Sequence, residues 1–328
     1  MLLIIEGHLG MPSLLTDLAF SVHVPLFFLI SGYLARPGKP GAIKKYAKRL
    51  LVPYVATGLL VAVIEALKAL SQGGTSAFVP VLGEWLAATA FGSGTNPSPV
   101  FGIHMIGAIW FLLALFWALV AYEFVCRSSY AWPIVVCVFA AGLVSARYWW
   151  LPWSVQPACT ALLFVHIGHE ARSRGFDPHA LRPAHVVVAA AVWAAALAVD
   201  HGRMYVVSSY FGCLPADVAG ALAGTVVICW LSAKLEGIAW ASAPLRYLGI
   251  FSMPVMCFHL IELNCVPWWD YAALFELERG PLGYMLVYLA KLCWAAFWVF
   301  ACARIPVLRG LFIESDKKHA SIIAGARS

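Results

Sequence analysis

Long apolar segments, repeated along almost the whole chain, limit most strongly what this sequence can fold into. A helix needs about 20 mostly apolar residues to cross the hydrocarbon layer of a bilayer. Only 12% of the 328 residues are charged, against about 25% in an average soluble domain. We therefore predict an all-α polytopic membrane protein. Its predicted spans lie near residues 22–35, 50–71, 101–122, 130–146, 154–169, 184–199, 213–233, 247–267 and 281–303.

The two N-terminal apolar segments are both short. The stretch MLLIIEGH at the start of the chain cannot cross a bilayer by itself. We expect it to be the remainder of a truncated first span, which brings the predicted total to about ten transmembrane helices. The segment near 22–35 is also short, unless its helix extends back toward Leu14.

Lysine and arginine are distributed unevenly between the two sides of these spans. Most of the 22 Lys and Arg residues fall in alternate loops and in the C-terminal tail, and the densest group lies between Arg36 and Arg49. Cytoplasmic loops of membrane proteins are enriched in Lys and Arg. We therefore expect both termini to be cytoplasmic, with the protein in the inner cell membrane. Residues 1–314 then form one integral membrane domain, and residues 315–328 form a short cytoplasmic tail.

This charge distribution also bears on the classes of ligand. We interpret the net charge of +6 as a sign of membrane orientation and of contact with membrane lipid, and we predict no nucleic-acid binding. The nine cysteines form no CxxC pair and no metal-ligand spacing, so we predict no metal site. Oligomeric state is not readable from the sequence.

Ionisable residues inside the apolar segments are the first candidates for a functional site, because such residues are costly in a membrane. The short loop between His8 and His23 should bring these two side chains to neighbouring positions in the outer half of adjacent helices. A histidine of this kind is either a hydrogen-bonded packing residue or part of a site, and the sequence leaves both interpretations open. The basic group after Arg36 can likewise serve orientation and anionic lipid, or a ligand.

Several motifs occur together in a characteristic order. They are the GH that ends the first apolar run, HVPLFFLISGYL (23–34), KKYAKRLLVPY (44–54), AIWFLLALF (108–116), ALLFVHIGHEAR (161–172), PLRYLGIFSMPVMCFHL (244–260) and RIPVLRGLF (304–312). Together they resemble the membrane acyltransferase-3 family, and the branch of sugar O-acetylases of the fucose 4-O-acetylase type in particular. The resemblance implies a fold of ten membrane helices. It also implies transfer of an acyl group, usually acetyl from cytoplasmic acetyl-CoA, to a hydroxyl of a sugar or glycan.

The resemblance also assigns individual residues. The first-helix histidine of the family falls on His8, where it is expected to be essential. The basic motif falls on Lys45, Lys48 and Arg49, and the HxPLFFxxSGY block includes His23. One departure is that family members usually carry Arg or Lys upstream of the first-helix histidine, and this chain begins too late to have that residue.

The chemistry of acyl transfer suggests roles for these residues. Moving acetyl from a thioester to an alcohol requires a base that removes the hydroxyl proton, and histidine suits this because its unperturbed pKa is about 6.5. We predict His8 as the general base and His23 as a second base or a substrate-positioning donor. We predict that the phosphates of acetyl-CoA bind the basic cluster, which we define as Lys44, Lys45, Lys48 and Arg49.

A path for the acyl group or substrate is predicted from polar residues within the spans. Ser31, Gly32, Tyr33 and His259 are the candidates for this path. Packing between helices is the alternative role for Ser31 and Tyr33, and Gly32 lets two helices approach closely.

Two other functions fit the sequence. Histidines and carboxylates within helices can form the proton relay of a secondary transporter or flippase. The chain can also be an inactive relative of the family. The sequence does not name the acceptor, which can be a free sugar, a glycan or a lipid-linked saccharide, and an acyl group other than acetyl can be the one transferred.

Overall fold

The computed structural model describes residues 13–95, 102–200 and 204–313, which form helices and loops, with one isolated backbone bridge between Tyr205 and Tyr210. The all-α prediction is confirmed for these residues. His8, the apolar stretch before it and the predicted tail over 315–328 lie outside the described residues. The helices are α1 (Ser13–Leu34), α2 (Ala42–Tyr46), α3 (Val52–Gly73), α4 (Thr75–Phe91), α5 (Trp110–Val125), α6 (Ala131–Ser145), α7 (Val155–Ser173), α8 (Pro183–Asp200), α9 (Leu214–Glu236), α10 (Ala239–Ile250), α11 (Ser252–Cys265), α12 (Trp268–Ala273), α13 (Pro281–Arg304) and α14 (Pro306–Phe312).

Four helices among the described residues are long and apolar enough to cross a membrane. They are Thr16–Leu34, Ala42–Gly73, Leu214–Glu236 and Pro281–Arg304. The second combines α2 and α3 through a π-helical turn over Ala47–Leu51. A fifth span results if α10 and α11, which meet at a bend of 68°, are taken together.

Three further apolar helices are shorter than these four spans. They are Trp110–Val125, Ala131–Ser145 and Pro183–Val199, none longer than 17 residues. At 1.5 Å per residue such a helix rises at most about 26 Å, and the hydrocarbon layer is about 30 Å thick. The total of ten spans and the orientation of the termini therefore stay predictions.

The boundaries of the N-terminal helices differ from the predicted ones. Helix α1 begins at Ser13, so the short segment near 22–35 does extend back as far as a full span requires. The predicted start of a helix near residue 101 is wrong, because α5 begins only at Trp110.

Helix α4 was not predicted at all. It returns along α3 after a turn at Gly74, whose φ of 67° suits glycine.

The segment 102–109, which precedes α5, has no helix and is partly buried in the protein. Ile106 and Ile109 have no exposed surface, and the N–H of Ile106 donates to the carbonyl oxygen of Ser93 at 2.8 Å. Irregular backbone at membrane depth is tolerated where neighbouring protein satisfies its polar groups. This segment can therefore lie within a bundle of membrane helices without itself being helical.

Helices α1 and α7 touch backbone to backbone through a pair of glycines. A Cβ atom on Gly32 would lie 2.0 Å from the carbonyl oxygen of Val165, and one on Gly168 would lie 2.0 Å from that of Leu29. Small residues permit such an approach between membrane helices. This reciprocal contact fixes how α1 and α7 sit against each other.

The C-terminal ends of α1 and α7 are also tied together by side chains. The hydroxyl of Tyr33 donates to the carbonyl oxygen of Phe176 at 2.9 Å. Arg172 Nη1 donates to the carbonyl oxygen of Tyr33 at 3.0 Å. These two bonds hold the end of α1 in place, and the loop that leads to the basic cluster begins there.

We expect Gly32→Ala to destabilise the protein by about 1–3 kcal/mol, the usual cost of overpacking a close contact. The new methyl group would collide with the Val165 backbone, so the helices would have to separate. A lowered Tm of the detergent-solubilised protein would report this. Gly83→Ala on α4 is the matched control, because no atom lies within 4 Å of the added carbon. Equal Tm values for both variants would contradict the contact.

Candidate functional site

A cavity of about 480 Å³ lies beside the start of the long helix Ala42–Gly73. One of its walls carries Pro53 and all four members of the basic cluster. None of the described residues that line the cavity is acidic. Ligand pockets in proteins measure about 300–1,000 Å³, so the size and the charge of this cavity suit an anionic small molecule.

The opposite wall comes from two parts of the chain that are distant in sequence. Gly249, Ile250, Ser252 and Met253 belong to the bend between α10 and α11, and residues 310–313 belong to the end of α14 and the residue after it. Helix α11 begins at Ser252, so its first turn lies in this wall. The N-terminal end of a helix carries partial positive charge and favours anions. The C-terminal ends of α10 and α14 lie in the same wall and carry the opposite partial charge, so the positive charge of the cavity comes from the basic cluster.

The π-helical turn over Ala47–Leu51 has a local cause in Pro53. Proline has no N–H for the carbonyl of Arg49, four residues earlier, and its ring crowds that carbonyl. A wider turn relieves the crowding. It also changes the direction in which Lys48 and Arg49 point relative to α3, and π turns of this kind are frequent at functional sites.

The side chains of the basic cluster are of the types that bind phosphate in proteins. Lysine binds phosphate as a point charge, and arginine binds it through forked hydrogen bonds. Lys44, Lys45, Lys48 and Arg49, predicted from the sequence as one donor-binding set, line one cavity in the structure. His23, Ser31, Gly32, Tyr33 and His259 do not line this cavity.

His23 lies on α1 with 6% of its surface exposed. Its Nδ1 atom is 2.6 Å from the carbonyl oxygen of Ala19. A carbonyl oxygen only accepts hydrogen bonds, so Nδ1 carries a proton and donates it. In the neutral ring the lone pair is therefore on Nε2, which is the nitrogen able to accept a proton. The ring of Phe20 packs edge-on against the imidazole at a centroid distance of 4.9 Å.

The predicted path residues on α1 are in contact with other helices. Gly32 faces the Val165 backbone, and Tyr33 is bonded to Phe176 and Arg172 as described above. Ser31 is half-buried. Arg172 holds the end of α1 through its bond to the Tyr33 carbonyl oxygen. A path along these residues stays a prediction, and packing accounts for the contacts of Gly32 and Tyr33.

His259 belongs to a buried polar cluster between α11 and α13. Glu262 Oε1 accepts from His259 Nδ1 at 2.7 Å and from Lys291 Nζ at 2.9 Å. Trp268 Nε1 donates to the other carboxylate oxygen. Glu262 is fully buried, so the pairing with Lys291 offsets the cost of removing both charges from water.

A metal is not indicated within the described part of the chain. No group of three or more histidine, cysteine, aspartate or glutamate side chains there is placed to hold a metal ion. The polar clusters are instead made of hydrogen bonds and ion pairs.

Comparison with known proteins decides the family. A family model described as an acyltransferase domain matches residues 1–304, nearly the whole chain. The chain belongs to the acyltransferase-3 family. It is therefore a membrane acyltransferase, an enzyme that moves an acyl group from a donor to an acceptor. Searches of curated proteins and of solved structures gave no significant match.

Sequence reasoning missed some residues of this acyltransferase that the structure brings to the cavity. The opposite wall of the cavity comes from the segments Gly249 to Met253 and Gly310 to Ile313. Neither segment has a charged side chain that would mark it in the sequence. Lys291 lies within the last predicted span, and nothing in the sequence links it to Glu262, to which it is bonded in the structure. The spacing of three between His259 and Glu262 was a usable signal, since such residues are neighbours on a helix.

We expect Lys291→Met to destabilise this acyltransferase by about 3–5 kcal/mol, because Glu262 would keep its buried charge without the lysine. The double variant Lys291→Met/Glu262→Gln buries no charge there. Its glutamine oxygen still accepts from His259, whereas the amide nitrogen cannot accept from Trp268. It should recover part of the lost stability. Thermal unfolding in detergent compares the two, and a double variant no more stable than the single one would contradict this account.

Proposed function

We propose that this acyltransferase moves an acetyl group from cytoplasmic acetyl-CoA to a hydroxyl of a sugar or glycan. The observation that carries the proposal is the cavity lined by the four cations of the basic cluster. Acetyl-CoA carries several phosphate groups at one end and a reactive thioester at the other. A basic cavity at the end of a membrane helix suits the phosphate end.

The side of the membrane on which the cavity opens agrees with this donor. The loop between α1 and α2 and the start of α2 hold the densest group of Lys and Arg in the chain, and such loops mark the cytoplasmic side. Acetyl-CoA is present in the cytoplasm. In this proposal acetyl-CoA therefore enters the basic cavity directly from the cytoplasm.

The reaction needs a base near the acceptor hydroxyl. The hydroxyl oxygen attacks the thioester carbonyl carbon while the base takes the hydroxyl proton. The carbon–sulfur bond then breaks, and the CoA thiolate leaves and is reprotonated. The products are an acetyl ester of the acceptor and free CoA. We propose His8, which the family resemblance marks as essential, as the principal base, with His23 as a second proton acceptor.

The geometry of His23 favours one of its two predicted roles. Because Nδ1 is already occupied by the Ala19 carbonyl, the neutral ring offers an acceptor at Nε2 and no second donor. His23 is therefore better suited to take a proton than to donate a positioning hydrogen bond. The residues from His23 to Leu34 rise about 16 Å along α1, so the long pantetheine arm of CoA has to carry the acetyl group away from the basic cavity.

Membership of the family favours transfer over transport. A free sugar, a glycan and a lipid-linked saccharide all carry the hydroxyl that the reaction requires, and they are the acceptors we propose.

We expect Lys48→Ala/Arg49→Ala to raise the KM for acetyl-CoA at least tenfold. Each hydrogen bond to a charged group is worth about 1.5–3 kcal/mol, and 1.4 kcal/mol is about a factor of ten. Transfer of labelled acetyl from acetyl-CoA to glycans of the host, in membranes that contain the protein, is the measurement. Lys234→Ala is the control, because Lys234 lies beside Trp230 at the end of α9. Absence of transfer by the wild type, or an unchanged KM in the double variant, would overturn the proposal.

We expect His23→Asn to fold normally but to lose transfer. The asparagine amide nitrogen takes the place of Nδ1 and can still donate to the Ala19 carbonyl, whereas nothing replaces Nε2. Its Tm and its affinity for CoA should match those of the wild type, and its kcat should fall by about 100-fold or more, the usual contribution of a general base. Full kcat in His23→Asn would remove His23 from the chemistry.

A further inference from the structure

Glu123 is a buried carboxylate that contacts the segment carrying the basic cluster. It lies in the last turn of α5 with 4% of its surface exposed. Its Oε2 atom accepts from the backbone N–H of Gly38 at 2.7 Å, and its Oε1 atom accepts from the hydroxyl of Tyr46 at 2.9 Å. One side chain therefore joins α5 both to the loop after α1 and to α2.

Tyr46 is well placed to control the direction of the cations. In sequence it stands between Lys45 and Lys48, yet it does not line the cavity that these lysines line. Successive residues of a helix point about 100° apart. Fixing the Tyr46 side chain against α5 therefore fixes the rotation of α2 and of the π-helical turn. The bond to Gly38 fixes the point from which α2 begins.

We propose that Glu123 is a positioning residue for the acyl donor, which holds α2 and the π-helical turn so that the basic cluster points into the cavity. This inference rests on the proposed function, since it takes the cavity to be the donor site. The charge of Glu123 by itself opposes the binding of an anion nearby. Its contribution to donor binding must therefore come from the two hydrogen bonds.

Two substitutions at this position separate geometry from charge. Glutamine has the same shape as glutamate: its oxygen can accept from Gly38, and its amide can donate to the Tyr46 oxygen. We expect Glu123→Gln to bind CoA at least as tightly as the wild type, because the hydrogen bonds stay and the repelling charge is gone. Leucine removes both hydrogen bonds. We expect Glu123→Leu to bind CoA about tenfold more weakly, even though its net charge favours the anion.

The experiment measures the affinity of the purified full chain for CoA by calorimetry, together with KM and kcat for acetyl-CoA. In Glu123→Leu the KM should rise about as much as the dissociation constant, while kcat at saturating donor changes less than about threefold. Glu170→Leu is the matched control. It removes a carboxylate whose partner is Arg174 at the end of α7, and its CoA affinity should not fall.

Each outcome decides the inference. A wild type that binds no CoA overturns the proposed function itself. A wild type that binds CoA, with Glu123→Leu binding equally well or more tightly, overturns only the role of Glu123, as does an equal loss in Glu123→Gln and Glu123→Leu. Should Glu123→Leu fail to fold, Tyr46→Phe removes a single hydrogen bond, and we expect it to weaken CoA binding about threefold. No change in Tyr46→Phe would then overturn the inference.

Discussion

Placing a lysine or arginine side chain at the centre of a bilayer costs about 2.5–3.5 kcal/mol or more in free energy. The helix Ala42–Gly73 avoids this cost because its charged residues lie near its two ends. Its four cluster cations fall within residues 42–49, and the Glu65–Lys68 pair lies toward the other end. Because cations are excluded from the hydrocarbon layer, those of this helix are concentrated at one membrane face. Pro53 and the π-helical turn lie within this segment, and its solvent-exposed cations line the basic cavity opposite α11 and α14.

Buried carboxylates elsewhere in the chain show how the remaining polar groups are accommodated. Glu262 is neutralised by Lys291 and further bonded to His259 and Trp268. Glu123 accepts from a backbone N–H and from a tyrosine hydroxyl. Buried ionic groups contribute little net stability compared with apolar residues of the same size. In this enzyme they hold specific segments in place. Glu262 holds α11 against α13, and Glu123 holds the segment of the basic cluster against α5.

The sequence was informative where the membrane itself dictates the pattern. Apolar length predicted most of the helices, and the concentration of Lys and Arg predicted the cluster that lines the cavity. It was uninformative where a local break depends on tertiary contacts. Residues 102–109 look as apolar as a helix, yet they run irregularly, and the N–H of Ile106 donates to Ser93 instead of to a helical partner. Helix α4 escaped prediction because Pro80 and Glu84 interrupt its apolar character. Gly249 and Gly310 reach the cavity only through the folding of distant segments, which no local pattern encodes.

The central claim is that the basic cavity holds the acyl donor at the cytoplasmic face. Photo-crosslinking tests it most directly: a photoreactive CoA analogue is added to sealed membrane vesicles of known orientation, and the labelled peptides are identified by mass spectrometry. The account predicts label on residues 41–53, 249–253 or 310–313, removed by competing CoA and obtained only when the analogue has access to the cytoplasmic side. Label elsewhere in the chain that CoA displaces, or label from the opposite side, would contradict it.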